Sequence, residues 1–232
     1  MAGVKGLIGV IGAELGRYAV FYDSLLHLAT PPGTALVQTR GGNVAENRNI
    51  VTREALRLGA EWVLYLDDDH VLAPDTLMRL LAHGVDIVSG LYVKREIPFV
   101  PCVYDEENEA GLCRPRLLAP GDCGRVKVKA VGAGCLLVRR RVIETLGDPC
   151  WRIGGISSDV PGEDIQFCKD ARAAFFTVWC DLDTVVGHQM MGTVWPQRGP
   201  DGSWKTTMLQ RDEIASWPAA ALNPAALDGV PV

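Results

Sequence analysis

Apolar and polar positions along this chain fall into blocks that switch between a two-residue and a three-to-four-residue period. Lys5 to Ile11 is a short apolar run closed by Gly12 and Gly16, which predicts a strand with a turn at its end. Tyr18, Phe21, Tyr22, Leu25, Leu26 and Ala29 then recur at spacings of three and four, the pattern of a helix with one face on a core. Pro31-Pro32-Gly33 ends that helix, Thr34 to Gln38 is a second strand, and Gly41-Gly42-Asn43 turns into a second helix with Val44, Val51, Ala55 and Leu58 on its apolar face. Trp62 to Leu66 reads as a buried strand, Pro74-Asp75 opens a third helix carrying Leu77, Leu80 and Leu81 inward, and Ile87 to Leu91 is a fourth strand. Strands that alternate with amphipathic helices predict an α/β fold with a mostly parallel sheet and right-handed crossovers.

After Tyr92 the pattern loosens. Pro98, Pro101, the acidic stretch Asp105 to Glu109, Pro115 and Pro120 predict a loop-rich insertion suited to reading a second substrate. Val126 to Val131 and Cys135 to Val138 read as strands around Gly132-Ala133-Gly134, which serves either a plain turn or the close approach of a ligand to backbone. Arg139-Arg140-Arg141 reads as the solvated start of a short helix. Pro161 to Asp164 opens a helix running to about Phe175, and Phe176 to Cys180 and Thr184 to Val186 are late strands, the second ending at Gly187-His188. From Gln189 to Val232 the chain is rich in Pro, Gly, Ala and Trp, which predicts a mobile lid or a loosely packed extension.

With 232 residues, 48% of them apolar and 22% charged, the chain is long enough for a sizeable core and has the balance of an ordinary globular protein. A net charge of -5 argues against general neutralisation of nucleic-acid phosphates, while leaving room for a local basic groove. The seven cysteines contain no Cys-x-x-Cys pair, so no zinc ribbon is proposed, and reduced, buried thiols in a cytoplasmic protein are expected. The first residues read as a strand and not as a signal peptide, and no apolar run reaches the ~20 residues that span a bilayer.

The chemistry starts where the Trp62 strand ends, in Asp67-Asp68-Asp69-His70. Three adjacent carboxylates repel one another, so this pattern points to a cation that neutralises them, and oxygen ligands suit Mg²⁺ or Mn²⁺ bound together with a substrate's phosphates. The plainer reading is a solvated acidic turn. In parallel α/β sheets ligands sit beyond the carboxyl ends of the strands, where these acids fall. Glu163 and Asp164 open a helix, and acids there are also favoured by the helix dipole alone.

Ala45-Glu46-Asn47-Arg48-Asn49, then Gly59-Ala60-Glu61-Trp62 and Leu66-Asp67-Asp68-Asp69, resemble the signature of family 2 of the glycosyltransferases, which have the GT-A fold. Gly162-Glu163-Asp164 resembles that family's later acidic motif, and Gly187-His188 resembles the histidine that completes the metal site in several GT-A enzymes. With Asp86 to Tyr92 and Pro98 to Pro101 included, the run is similar to glycosyltransferase-like proteins of bacteriophage and bacterial genomes, over about residues 5 to 190.

The resemblance implies a metal-dependent transfer of a sugar from a nucleotide-sugar donor, a UDP-sugar foremost, to a hydroxyl of a glycan, lipid, protein or modified phage DNA base. Asp67, Asp69 and His188 would hold the metal, with Mn²⁺ favoured over Mg²⁺ because imidazole suits it better. Arg48, Asp67, Asp68, Gly12, Ala13 and Gly134 would meet the donor, and Asp164, with Glu163 as substitute, would be the base toward the acceptor if the reaction inverts. Residues 1–190 would form the GT-A domain, split into a donor half (1–92) and an acceptor half (93–190), followed by the extension 191–232. The family's usual base-reading Asp after the second strand is replaced by Gln38-Thr39-Arg40. A nucleotidyltransferase is the alternative enzyme, and Gly12 to Arg17 is a poor version of its glycine-rich phosphate loop. A non-catalytic nucleotide-sugar-binding module would need no second acidic pair.

Overall fold

Runs of apolar residues buried on both faces can only form the middle of a layered structure, and they do so here. The computed structural model describes residues 3–12, 19–95, 99–108, 113–153, 162–190 and 192–210. In chain order the first elements are β1 (Gly6–Gly12), α1 (Ala19–Leu26), β2 (Thr34–Arg40), α2 (Val44–Leu58), β3 (Trp62–Asp67), β4 (His70–Val71), α3 (Thr76–Ala82) and β5 (Ile87–Leu91). They are followed by β6 (Val103–Glu107), β7 (Cys113–Pro115), β8 (Arg125–Val128), β9 (Ala130–Val131), β10 (Cys135–Arg139), α4 (Arg140–Leu146) and α5 (Glu163–Ala173). The last are β11 (Val178–Val185), β12 (Gly187–Gln189), β13 (Gly192–Arg198) and β14 (Trp204–Gln210).

Seven strands form the central sheet in the order β2-β1-β3-β10-β5-β11-β8. Strands β2, β1, β3, β5 and β11 run one way, and β10 and β8 run against them, so the fold is mixed α/β with the predicted parallel component interrupted. The insertion of β10 between β3 and β5 is the departure from the expected sheet. Its residues Cys135 to Val138 are buried, so the chain returns through the sheet centre instead of crossing over it. The sheet draws strands from both sides of residue 92.

Two apolar layers cover the sheet. One joins α2, α4 and α5 through Val51, Ala55, Val142, Ile143 and Phe167; the other joins α1 and α3 through Phe21, Leu77 and Leu80. Gly9 shows why a glycine stands inside β1, since a Cβ there would lie 2.1 Å from Val51 Cγ1 and push α2 off the sheet. Helix α2 starts on Asn43, whose side chain accepts the Ala45 amide at 2.8 Å, and ends on Gly59 at φ 74°. Val44, placed on its apolar face by periodicity, is 36% exposed, because Asn47, Arg48 and Asn49 occupy the buried side of that first turn.

The late chain departs most from expectation. The two late strands are one, β11, broken by a register shift between Asp181 and Val185. Residues 192–210, expected as a loose extension, form the hairpin β13–β14, which joins β12 and β4 in a four-stranded sheet. Strands β6, β7 and β9 make a third small sheet in the loop-rich stretch. All seven cysteines are free thiols, five of them buried, with Cys123 exposed. Among the described residues no helix is long and apolar enough to cross a membrane.

Candidate functional site

Register determines what arrives at the sheet edge. Ile11 of β1 pairs with Asp67 of β3, so Gly12 and the acidic turn leave the sheet side by side. Gly12, Gly42, Val44, Asn47 and the three acids line a cleft of about 220 Å³. Ala13 lies outside the described residues.

Asp67 and Asp69 pair with different arginines. Asp67 Oδ1 accepts from Arg48 Nη2 at 2.8 Å, and the other end of the same guanidinium pairs with Glu163. Asp69 turns the opposite way: Oδ2 is 2.8 Å from Arg95 Nη1, and Oδ1 is 3.1 Å from His70 Nδ1 and 3.7 Å from His188 Nε2. Asp68 is buried between them, its amide donating to Ile11 O. The protein's own arginines thus relieve part of the repulsion among these carboxylates.

Asp69, His70 and His188 each offer a ligand atom, all within 4.8 Å of one another. The cause is strand pairing: β12 lies against β4 with His188 directly opposite His70, and the rings stack with centroids 4.5 Å apart. His188 Nδ1 sits 2.7 Å from Val93 O, so that nitrogen carries the proton and Nε2 is left as the lone-pair donor toward Asp69. His70 is 1% exposed; its Nε2 has no hydrogen-bond partner, and its Nδ1 and Asp69 Oδ1 face each other at 3.1 Å without a well-aligned hydrogen bond. Buried polar atoms left this way are costly unless something binds them. Burial alone would raise the Asp69 carboxyl, but His188 and His70 beside it prevail and hold it well below the usual carboxylate range. Burial lowers His188 despite the opposing pull of Asp69.

Tyr92, just past the end of β5, packs against this group. Its ring meets His70 edge-on at 4.6 Å, and its hydroxyl accepts the Gly134 amide at 3.0 Å. Gly134 therefore has a definite reason: a Cβ there would come within 2.3 Å of His70 Cε1, so the glycine makes room for the imidazole. Burial first, and then the neighbouring Cys102, Asp67 and Asp164, raise the Tyr92 phenol well above its ordinary value.

Asp164 is raised to about 6, first by burial and then by the charge of Glu163, with Arg48 opposing. A carboxyl titrating there is suited to proton transfer near neutral pH. Arg48 itself is 2% exposed and lies 5.3 Å over the Trp151 ring, which stacks on Phe167. The neighbouring asparagines anchor it: Asn47 donates to Gly41 O at 2.6 Å, and Asn49 exchanges two hydrogen bonds with the Trp151 backbone. Arg48 bridges Asp67 and Glu163 inside the protein.

The structure thus brings Asp69 and His188 together, as expected, and adds His70, while Asp67 sits with Arg48 and Glu163. His70, Tyr92 and Arg95 were not singled out from the sequence. The signal for His70 was present, because it follows the acids directly, but its partner across the strand pair is 118 positions away.

No family model matches the sequence, and no curated protein matches it. Among solved structures, the fold is similar to the crystal structure of A197 from STIV, at 18% identity and a TM-score of 0.60, covering 90% of this chain and 95% of that one.

Proposed function

We propose that this chain is a GT-A glycosyltransferase that uses a divalent metal to move a sugar from a nucleotide-sugar donor, a UDP-sugar foremost, to an acceptor hydroxyl. One observation carries the reading: a donor triad of Asp69, His70 and His188 is linked, through Asp67 and its Arg48 bridge to Glu163, to a second acid group containing Asp164, at the carboxyl edge of an α/β sheet. The triad fits a divalent cation because Asp69 Oδ1 and the His70 ring nitrogens are buried with no hydrogen bond outside the triad, and two imidazoles beside one carboxylate favour Mn²⁺ over Mg²⁺. When bound, the metal would act as a Lewis acid on the donor's diphosphate. The chain's own residues would do the rest. The cleft of Gly12, Asn47 and Asp67 to Asp69 would receive the donor, Arg48 would fix Asp67 and Glu163 in place, and Asp164 would take the acceptor's proton.

The donor set itself favours one other chemistry, since two histidines and one carboxylate also hold ferrous iron in oxygenases. A panel of nucleotide sugars incubated with Mn²⁺ separates the two. Donor hydrolysis that disappears with a chelator and in Asp69→Ala supports transfer. Absence of turnover with every donor, or oxygen uptake with Fe²⁺ in its place, contradicts it.

A further inference from the structure

The central sheet ends on two unlike strands. At one edge β8 is four residues long and exposes Arg125 and Lys127, charges of the kind that deter strand addition. At the other edge β2 is seven residues long, contains no proline or lysine, and stays in unbroken register with β1. Among the described residues no backbone hydrogen bond of residues 35–40 leaves the sheet, so the outer N–H and C=O groups of β2 are open. A long edge without such guards is a template for another strand.

Space for that strand is present. Gly9 of β1 lies against Val51, which puts α2 over β1, and Val37 pairs with Gly9, so Val51 and Val37 stand at one level of the sheet. On the outer side of that line Ile50, Arg53, Glu54 and Arg57 of α2 form, with Val37, a groove of about 360 Å³ along the edge. Ile50 is 43% exposed, and Leu36, on the other face of β2, is 57% exposed. An added strand would cover both.

Charge selects the occupant. Glu46, Ile50, Arg53 and Arg57 recur at spacings of four, three and four, so one side of α2 reads acidic, apolar, basic, basic. A row of that kind is complementary to itself run backwards, which is what a two-fold interface requires. Helix α2 runs from the carboxyl end of β2 to the amino end of β3, against both strands. When the β2 of a second copy is added antiparallel, with Val37 opposite Val37, the two-fold axis passes at the level of Val51. Arg57, ~9 Å from that level along the helix, then faces Glu46 of the second copy, ~7.5 Å from it. The two α2 axes stand three strand spacings apart, about 14 Å, which leaves ~10 Å between facing Cα atoms for an arginine and a glutamate to span together. Within one chain Arg53 holds Glu46 and Asp148, and Arg57 holds Glu54, so the contact across the axis joins existing ion pairs into a network.

We propose that the chain forms a two-fold dimer by antiparallel pairing of β2 with β2, which joins two seven-stranded sheets into one continuous sheet. The pairing turns the carboxyl edges of the two copies in opposite directions, so both candidate sites stay open. The dimer is independent of the transfer reading, since none of its contact residues belongs to that site.

The test is sedimentation equilibrium of the full chain and three variants over a dilution series. The parent is expected at twice the 25.1 kDa of one chain. Arg57→Glu and Glu46→Arg each set like charges at both contacts across the axis and should weaken the dimer at least ~10-fold. Mixed in equal amounts, the two variants regain opposite charges at both contacts and should recover the parent's dimer. Ion pairs within one chain cannot produce that recovery, because each chain keeps its own substitution. Leu36→Lys should sediment as a single chain with the parent's far-UV circular dichroism, since a lysine in mid-edge deters strand addition without unfolding the sheet. The proposal is overturned if the parent sediments as one chain throughout, which leaves the edge to a strand of another protein, if the mixture associates no better than either variant alone, or if Leu36→Lys stays dimeric.

Discussion

Arg48 and Asp164 show how one buried charge sets the state of another. Burial opposes the Arg48 charge, but Asp67 and Glu163 meet the guanidinium at both ends and raise its pKa further. Arg48 also pulls Asp164 down, but burial and the charge of Glu163 prevail, and Asp164 rises to about 6. A carboxyl raised in the fold stabilises it below the ordinary value near 4, and that stability is lost as pH climbs through about 6. Asp164→Asn should therefore gain on the parent by about 2–3 kcal/mol between pH 4 and pH 7 in urea unfolding, while its turnover falls and donor binding survives. A variant that unfolds with the parent's pH dependence would show that Asp164 titrates normally. The sequence displayed Glu163 and Asp164 as an acidic pair but not their division of labour, because that depends on Arg48, 115 positions earlier in the chain for Glu163.

Elements decide which residues meet. Helix α2 is placed by Gly9, and periodicity alone predicted both α2 and β1; the contact between them was not legible because a missing side chain leaves no mark in a hydrophobic pattern. Gly9→Ala should cost about 1–3 kcal/mol by overpacking against Val51, and Gly9→Ala/Val51→Ala should recover part of it, a coupling measurable by a double-mutant cycle in denaturant. Additive losses would contradict the close approach. Local signals located the strands β1, β2, β3, β5 and β10 and the helices α2 and α5 within a few residues. They could not show that β10 enters between β3 and β5, nor that β13 and β14 continue the chain past His188 as sheet, because strand pairing is set by partners far away in sequence.

At the scale of the molecule, the small sheet β14-β13-β12-β4 matters most, because it holds His188 between His70 on one side and Val194 on the other. The stretch expected to be a loose extension thus supports the strand that delivers the histidine to Asp69. The most direct test is a Mn²⁺ titration followed by electron paramagnetic resonance, in which the free-ion signal disappears as the metal binds, with no substrate present. One site per chain is expected, weakened at least ~10-fold by either His70→Ala or His188→Ala, since loss of a direct ligand should cost no less than loss of its supporting partner. Equal affinity in the parent and both histidine variants, or full binding by Asp69→Ala, would contradict a metal centre built on these three residues.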